Sequence, residues 1–312
     1  MPLEERPTDL AIKVHEQTDN ENTWTGQSRG SVFGFKVFVF FIKHFGVRTA
    51  YNLMHLPIPY FYMFSRRNVR GLSYFFRKRL KYSWFKSSVS IYKTYYNFGQ
   101  TLVDKIAIPM GKEDQYTYEF DGEEHITNML NLGKGGILIS AHVGNFELAQ
   151  YFFKQRNFDT EISIVITDQD HEDIKAYLGQ FTKREQVNFI VVKEDLSHIF
   201  EMNAALAQNR VVCISGDRFL KNAKTLEAEL LGKKAKFPVG PFQIATRLQV
   251  PVLFVYVMRE PNRHYHLYAR KVAIERRDAQ DLLNKFAGHL ELVIKKYPLQ
   301  WFNFYDFWDE LK

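Results

Sequence analysis

The chain has 312 residues, a single Cys and a formal net charge of +7. Its 28 Phe and 17 Tyr exclude a disordered chain, which lacks the apolar surface to offset ordering, and one Cys excludes a disulfide scaffold. The length fits one large domain or two small ones, and the aromatic content exceeds what a core of that size needs.

Residues 1–21 are acidic and polar, unlike a signal peptide, and residues 1–25 read as a flexible acidic tail. Residues 22–103 then hold thirteen Lys+Arg and no Asp or Glu, so the whole positive excess sits there. Read as a helix at about 100° per residue, residues 32–48 place Lys36, Lys43, His44 and Arg48 within an arc of roughly 140°. Almost everything else in that helix is apolar, Phe38 and Phe41 included. Such a helix lies in a membrane interface and does not cross it. Residues 49–65 are uncharged but broken by Asn52, His55, Pro57 and Pro59. Arg66, Arg67, Arg70, Arg77, Lys78 and Arg79 follow, each worth about 1 kcal/mol beside an anionic leaflet. Residues 26–103 therefore read as a basic, aromatic, helical membrane-docking region. Core helices of a soluble domain are the alternative, and a nucleic-acid surface lacks any accompanying motif.

From residue 104 the pattern changes. Compact apolar runs at 135–141, 161–167, 187–192, 210–215 and 251–258 read as buried strands, and helical patterns lie at 122–133, 146–156, 171–182, 196–208, 241–248 and 278–296. Alternation of this kind predicts an α/β fold, a mainly parallel central sheet flanked by helices. Ligands of such sheets bind at the C-terminal strand ends. Residues 104–312 read as this α/β domain, with 26–312 forming one structural unit.

The run at 135–141 leads directly into His142, in a glycine-containing turn, with Glu147 five residues later. A histidine acts as a base at one ring nitrogen when a partner holds the other, and Glu147 is near enough in sequence to be that partner. Backbone N–H groups around Gly144 and Asn145, at the next helix start, are candidates for stabilising an oxyanion. Neither a Ser nor a Cys stands beside His142 in a nucleophile-elbow pattern, so the nucleophile would belong to the substrate. A histidine that merely caps the helix is the alternative reading of the same spacing.

The sequence Ser-Ala-His-Val-Gly-Asn-Phe-Glu at 140–147 resembles the signature of the late acyltransferases of lipid A biosynthesis, within the glycerolipid acyltransferase superfamily and its His-x4-Asp/Glu motif. Later blocks resemble that family in order: Gly-Asp-Arg-Phe at 216–219, Phe-Pro-Val-Gly-Pro at 237–241 leading into 245–252, and Tyr-Pro-Leu-Gln-Trp at 297–301. The block around residues 35–48 resembles its membrane-docking segment. The resemblance covers roughly residues 25–310. It implies cofactor-independent, metal-free transfer of a fatty acyl group from a thioester donor, acyl carrier protein or acyl-CoA, to a lipid hydroxyl, a lipid A precursor included. It implies His142 as general base oriented by Glu147, with Gly144, Asn145, Asp217 and Arg218 as oxyanion or positioning residues. Lys233, Lys234, Lys236, Phe237 and Gly240 would bind substrate. The enzyme would sit on the cytoplasmic face of a bacterial inner membrane, peripheral or monotopic, with no nucleic-acid partner.

The strand at 161–167 leads into Asp168, Asp170, Glu172 and Asp173 where the family tends to carry an Arg-containing loop. An acidic loop suits an anionic phosphate poorly and leaves another acceptor open, such as an aminoacyl lipid or a polyene. A non-catalytic lipid-binding protein of the same fold, or a hydrolase, are the other readings. Cys213 reads as an ordinary strand residue. His264 and His266 share one strand face, and the sequence shows no third metal ligand for them.

Overall fold

A computed structural model describes residues 32–158, 160–166, 188–193, 195–219 and 223–309. The expected tail and the expected helix at 171–182, with the acidic stretch at 168–173, lie outside the described residues.

Among the described residues, four α-helices precede the first strand: α1 (Val32–Leu53), α2 (Pro57–Phe64), α3 (Arg66–Tyr74) and α4 (Trp84–Ala107). α1 runs past the expected end at 48 and is kinked at Gly46, whose φ of 82° and ψ of 171° suit glycine alone. Pro57 opens α2, where a missing N–H removes no helical bond; the prolines that argue against a span begin a new helix. A π-helical turn over Phe75–Arg79 follows α3. Ser83 caps α4, its Oγ accepting from the Lys86 N–H at 3.3 Å. α4 shows no clean apolar stripe in sequence because it buries Ser87, Ser90, Thr94, Gln100, Thr101 and Asp104. None of these helices is long and apolar enough to cross a membrane.

The remaining elements are β1 (Thr117–Asp121), α5 (Glu123–Asn131), β2 (Gly136–Ser140), α6 (Ala149–Gln155), β3 (Ile162–Ile166), β4 (Asn188–Val191), α7 (Ser197–Ala207), β5 (Val211–Ser215), β6 (Thr225–Leu230), β7 (Lys233–Pro238), α8 (Val239–Arg247), β8 (Val252–Glu260), β9 (His264–Lys271) and α9 (Ala279–Lys296). The fold is the expected α/β class. Among the described residues, seven strands form one sheet in the order β1-β9-β8-β2-β5-β3-β4. β8, β2, β5, β3 and β4 are mutually parallel, while β9 runs antiparallel to β8 and β1 parallel to β9. β2 is buried throughout, which explains its unalternated apolar sequence. β6 and β7 form a separate antiparallel hairpin. The short, half-exposed β1 and this hairpin have no compact apolar run and are not legible as such in the sequence.

β8 is nine residues long, but only Val252–Phe254 pair with β2. Its second half therefore overhangs the end of β2. Gly144 bridges to Val257 on this overhang. Further out, Arg259 of β8 meets Asp104 of α4, Nε to Oδ2 at 3.1 Å, with the carboxylate fully buried. Asp104 also accepts hydrogen bonds from the hydroxyls of Tyr51, Tyr116 and Tyr265, the Tyr116 bond being 2.7 Å. Burial, and then the Asp104 charge, push all three hydroxyls far above the ordinary phenol range, so they remain protonated donors. Burial lowers the Arg259 pKa, but the Asp104 charge outweighs it, and the guanidinium stays charged. Arg259 also donates to the Gln100 side chain at 3.1 Å and lies over the Tyr51 ring at 5.1 Å. One ion pair thereby ties α1, α4, the approach to β1, β8 and β9 together.

Removing one partner of a buried pair leaves the other charge without compensation. Arg259→Ala is expected to cost about 3–5 kcal/mol of stability in urea unfolding. Lys295→Ala, which breaks the exposed Lys295–Glu291 pair on α9, is expected to cost at most about 0.5 kcal/mol.

Candidate active site

β2 and β5 are adjacent and parallel, with Ser140 opposite Ser215. The Gly216 N–H donates to the Ser140 carbonyl at 2.8 Å and extends the ladder past both strand ends. The chain segments that leave these strands thus carry His142 and Asp217 side by side. The His142 ring Nδ1 lies 2.7 Å from Asp217 Oδ1, and the His142 N–H reaches both carboxylate oxygens at 3.0 Å. Asn303, in the C-terminal segment, donates from Nδ2 to Asp217 Oδ2 at 2.9 Å. Its Oδ1 accepts from Arg218 Nε at 2.7 Å, and an Arg218 Nη donates to the Phe302 carbonyl at 2.5 Å.

The electrostatics define the proton positions. Burial acts to raise the Asp217 carboxyl; the neighbouring His142, then Arg218 and Asn303, outweigh it and bring the pKa down to about 2. Burial pushes the His142 imidazole below its ordinary range, and Arg218 pushes the same way against the pull of Asp217. At neutral pH the pair is therefore a neutral imidazole beside a carboxylate. An ionised carboxylate only accepts, so Nδ1 carries the proton and Nε2 keeps its lone pair. The Asp217 side chain is fully buried, whereas His142 leaves 32% of its side-chain surface open. The ring is thus held from behind and presented to solvent.

The C-terminal segment frames the histidine loop. The Phe302 N–H donates to the His142 carbonyl and the Gly144 N–H to the Gln300 carbonyl, both at 2.8 Å, around an antiparallel bridge between Val143 and Trp301. Gly144 adopts φ of +64°, and a Cβ there would sit 2.1 Å from the Val257 carbonyl oxygen. Glycine is required at that point on both grounds. Gln300 in turn brackets Arg259, accepting from its N–H at 3.0 Å and donating to its carbonyl at 2.6 Å.

Several sequence expectations change. The carboxylate on His142 is Asp217 and not Glu147. Glu147 sits in a 3-10 turn, Phe146–Leu148, that turns it outward, 54% of its side chain exposed and paired with Lys105 at 2.7 Å. The amides of Gly144 and Asn145 are not available for an oxyanion, because the Gln300 and Val257 carbonyls accept from them at 2.8 and 2.7 Å. The Asn145 side chain is buried and donates to the Thr101 carbonyl and the Tyr265 hydroxyl, both at 3.2 Å. Arg218 spends Nε and one Nη on protein acceptors and braces Asp217 through Asn303.

Phe237, expected to bind substrate, is fully buried against Phe286 and Phe307. Gly240 lies in α8, and Lys233, Lys234 and Lys236 lie on β7. Lys234 and Lys236 stand opposite Glu229 and Glu227 on β6, and Lys236 also pairs with Asp309 at 3.2 Å. Of the docking residues, Phe38 packs against the core and Phe41 is half-buried. Arg66, Arg70, Arg77 and Lys78 are exposed, with Arg67 and Arg79 half-buried. The large exposed apolar side chains of this region are instead Phe40, Phe45, Leu56, Tyr60, Met63, Phe64, Trp84 and Phe85, each 52–73% accessible, with Val89 at 38%. Asn303 carries no sequence signal of its role, being a lone amide in an aromatic tail, and Gln300 is marked only as part of the block at 297–301.

The fold and site together are a mainly parallel sheet with a half-exposed imidazole at one strand end, held by a buried carboxylate that follows the neighbouring strand. The family model of bacterial lipid A biosynthesis acyltransferases matches residues 87–309, and the chain belongs to that family. It is an acyltransferase that acts on lipid. No curated protein matches the chain.

The geometry predicts distinct effects on the pH profile of kcat/KM. A base whose pKa is lowered is neutral above that pKa, so activity is expected to fall only as pH drops below the ordinary histidine value of about 6.5. Asp217→Asn removes the group that favours the imidazolium. The acid limb is expected to move to still lower pH, with kcat reduced about 10²–10⁴-fold. Glu147→Gln, which alters the partner of Lys105, is expected to leave the limb in place.

Proposed function

We propose that this enzyme transfers a fatty acyl group from a thioester, carried on acyl carrier protein or coenzyme A, to a hydroxyl group of a lipid A precursor. The observation that carries the reading is the His142–Asp217 pair, which leaves Nε2 of a neutral imidazole facing solvent. Nε2 takes the proton of the acceptor hydroxyl as its oxygen bonds to the thioester carbonyl carbon. Collapse of the tetrahedral intermediate breaks the C–S bond, and the imidazolium returns its proton to the departing thiolate. Asp217 holds the ring and stabilises its charged form through the cycle, and Asn303 and Arg218 hold Asp217.

The membrane is reached through the N-terminal helices. Phe40, Phe45, Tyr60, Met63 and Phe64 supply exposed apolar surface on α1 and α2, and Arg66, Arg70, Arg77 and Lys78 follow at once. This pattern suits insertion at the headgroup level of an anionic leaflet without a span. Soluble thioester donors place that leaflet on the cytoplasmic face of the bacterial inner membrane. The acidic residues at 168–173 favour a second acceptor, a lipid without an anionic phosphate at the reacting end, such as an aminoacyl lipid or a polyene.

Purified protein incubated with labelled acyl donor and lipid extract tests the chemistry. His142→Ala is expected to lose transfer at least about 100-fold while its thermal midpoint is retained; full activity in folded His142→Ala rejects the mechanism. The identity of the labelled lipid separates the two acceptors. Neutralising Arg66, Arg70, Arg77 and Lys78 together is expected to weaken binding to phosphatidylglycerol vesicles, by up to about 1 kcal/mol per charge, measured by vesicle co-sedimentation.

A further inference from the structure

Among the described residues β1 is an edge strand, joined to the sheet through β9. In the parallel register Thr117 pairs with His264 and Glu119 with His266. Alternate residues of a strand share a face, so His264, His266 and Glu119 project on one face, opposite to Tyr265 and its Asp104 network. The third residue that the histidines lack in the sequence is supplied by this strand pairing, across 145 positions of intervening chain that periodicity cannot bridge. Ligand atoms from all three side chains lie within 4.8 Å of one another.

The distances are those of a ligand set, not of a hydrogen-bonded cluster. Glu119 Oε2 lies 3.6 Å from His264 Nε2 and 3.6 Å from His266 Nδ1. Both spacings exceed ordinary hydrogen-bond lengths. Two atoms bound at 2.0–2.2 Å to a tetrahedral Zn²⁺ stand about 3.4 Å apart. The outer contacts agree at His264, whereas Nε2 of His266 is buried with no hydrogen-bond partner among the described residues. The second ring nitrogen of His264, Nδ1, is 2.8 Å from Thr117 Oγ1, which turns Nε2 toward Glu119. His266 stacks on Tyr268 with centroids 4.0 Å apart. Glu260 Oε1 lies 3.9 Å from His266 Nδ1 and is itself oriented by the Tyr297 hydroxyl at 2.6 Å. The site has an entry path, because Glu119 keeps 62% of its side-chain surface exposed while His266 keeps 12%.

We propose that Glu119, His264 and His266 bind one divalent transition-metal ion, Zn²⁺ foremost, through one carboxylate oxygen and two imidazole nitrogens with a water in the fourth position. Imidazole and carboxylate donors in this number select such ions over Mg²⁺ and Ca²⁺, which take oxygen ligands in larger numbers. The ion fastens the edge strand β1 to β9, and its ligands are not among the hydrogen-bond partners of His142 and Asp217, so it serves the fold and not acyl transfer.

The test uses the untagged full chain, stripped with chelator and titrated with Zn²⁺ by calorimetry, with Co²⁺ absorption reporting the ligand field. One Zn²⁺ per chain, a raised thermal midpoint and a tetrahedral Co²⁺ spectrum are expected. Glu119→Gln, whose side chain is largely exposed, and His264→Asn are each expected to weaken Zn²⁺ binding more than about 10-fold. His125→Asn, a half-buried histidine elsewhere, is expected to change nothing. Absence of stoichiometric binding by the stripped wild-type chain, or equal binding by folded Glu119→Gln and His264→Asn, overturns the proposal. Mg²⁺ in place of Zn²⁺ is expected to give no shift. Acyl transfer assayed in parallel reports separately on His142.

Discussion

The Asp104–Arg259 pair is the constraint around which this molecule is organised. A fully buried carboxylate is tolerable only when its charge is compensated and its lone pairs are filled. Here one guanidinium and three tyrosine hydroxyls do this, and they come from α1, β8, β9 and the segment before β1. The satisfaction of one group therefore requires the N-terminal helices to be seated on the sheet. The same cluster touches the loop that carries His142, because Tyr265 accepts from Asn145 and Gln300 brackets the Arg259 backbone.

The C-terminal segment couples this framework to the chemistry. Gln300 and Phe302 fix the backbone of His142 and Gly144, and Asn303 holds the carboxylate that holds the imidazole. Every proton-handling group thus has a partner that itself has a partner, down to the backbone. That arrangement stores the tautomer in the protein: the ring cannot turn without abandoning a carboxylate at 2.7 Å. It also accounts for the aromatic tail, since Trp301, Phe307 and Trp308 anchor the segment by packing on Phe75 and one another.

The surplus of Phe and Tyr divides into two uses. Part fills the interior, where Phe75, Phe76, Phe237, Phe242, Phe254 and Phe286 are buried. Part is exposed on α1, α2 and the start of α4, where Phe40, Phe45, Tyr60, Phe64 and Phe85 leave apolar surface to the solvent. The acid-free stretch that carries the second group has no carboxylate to repel an anionic leaflet, which is the physical basis for reading it as a docking surface.

Much of this was legible in the residues. Buried strands announce themselves as unalternated apolar runs, so β2, β3, β4, β5 and β8 and the parallel sheet could be placed from sequence, and a histidine at a strand's C-terminal end marks the site. β1 and the β6–β7 hairpin could not, because half-exposed strands lack that signal, and α4 hides its core face behind buried polar residues. The sequence determined the buried strands, the charge division and the place of His142 at a strand end. Only the tertiary structure decided which carboxylate pairs with that histidine. Glu147 is five residues from His142 but turned outward by a 3-10 turn, whereas Asp217, 75 residues away, is delivered by the pairing of β2 with β5. Proximity in an α/β enzyme follows strand order, and strand order is a property of packing that no local pattern records.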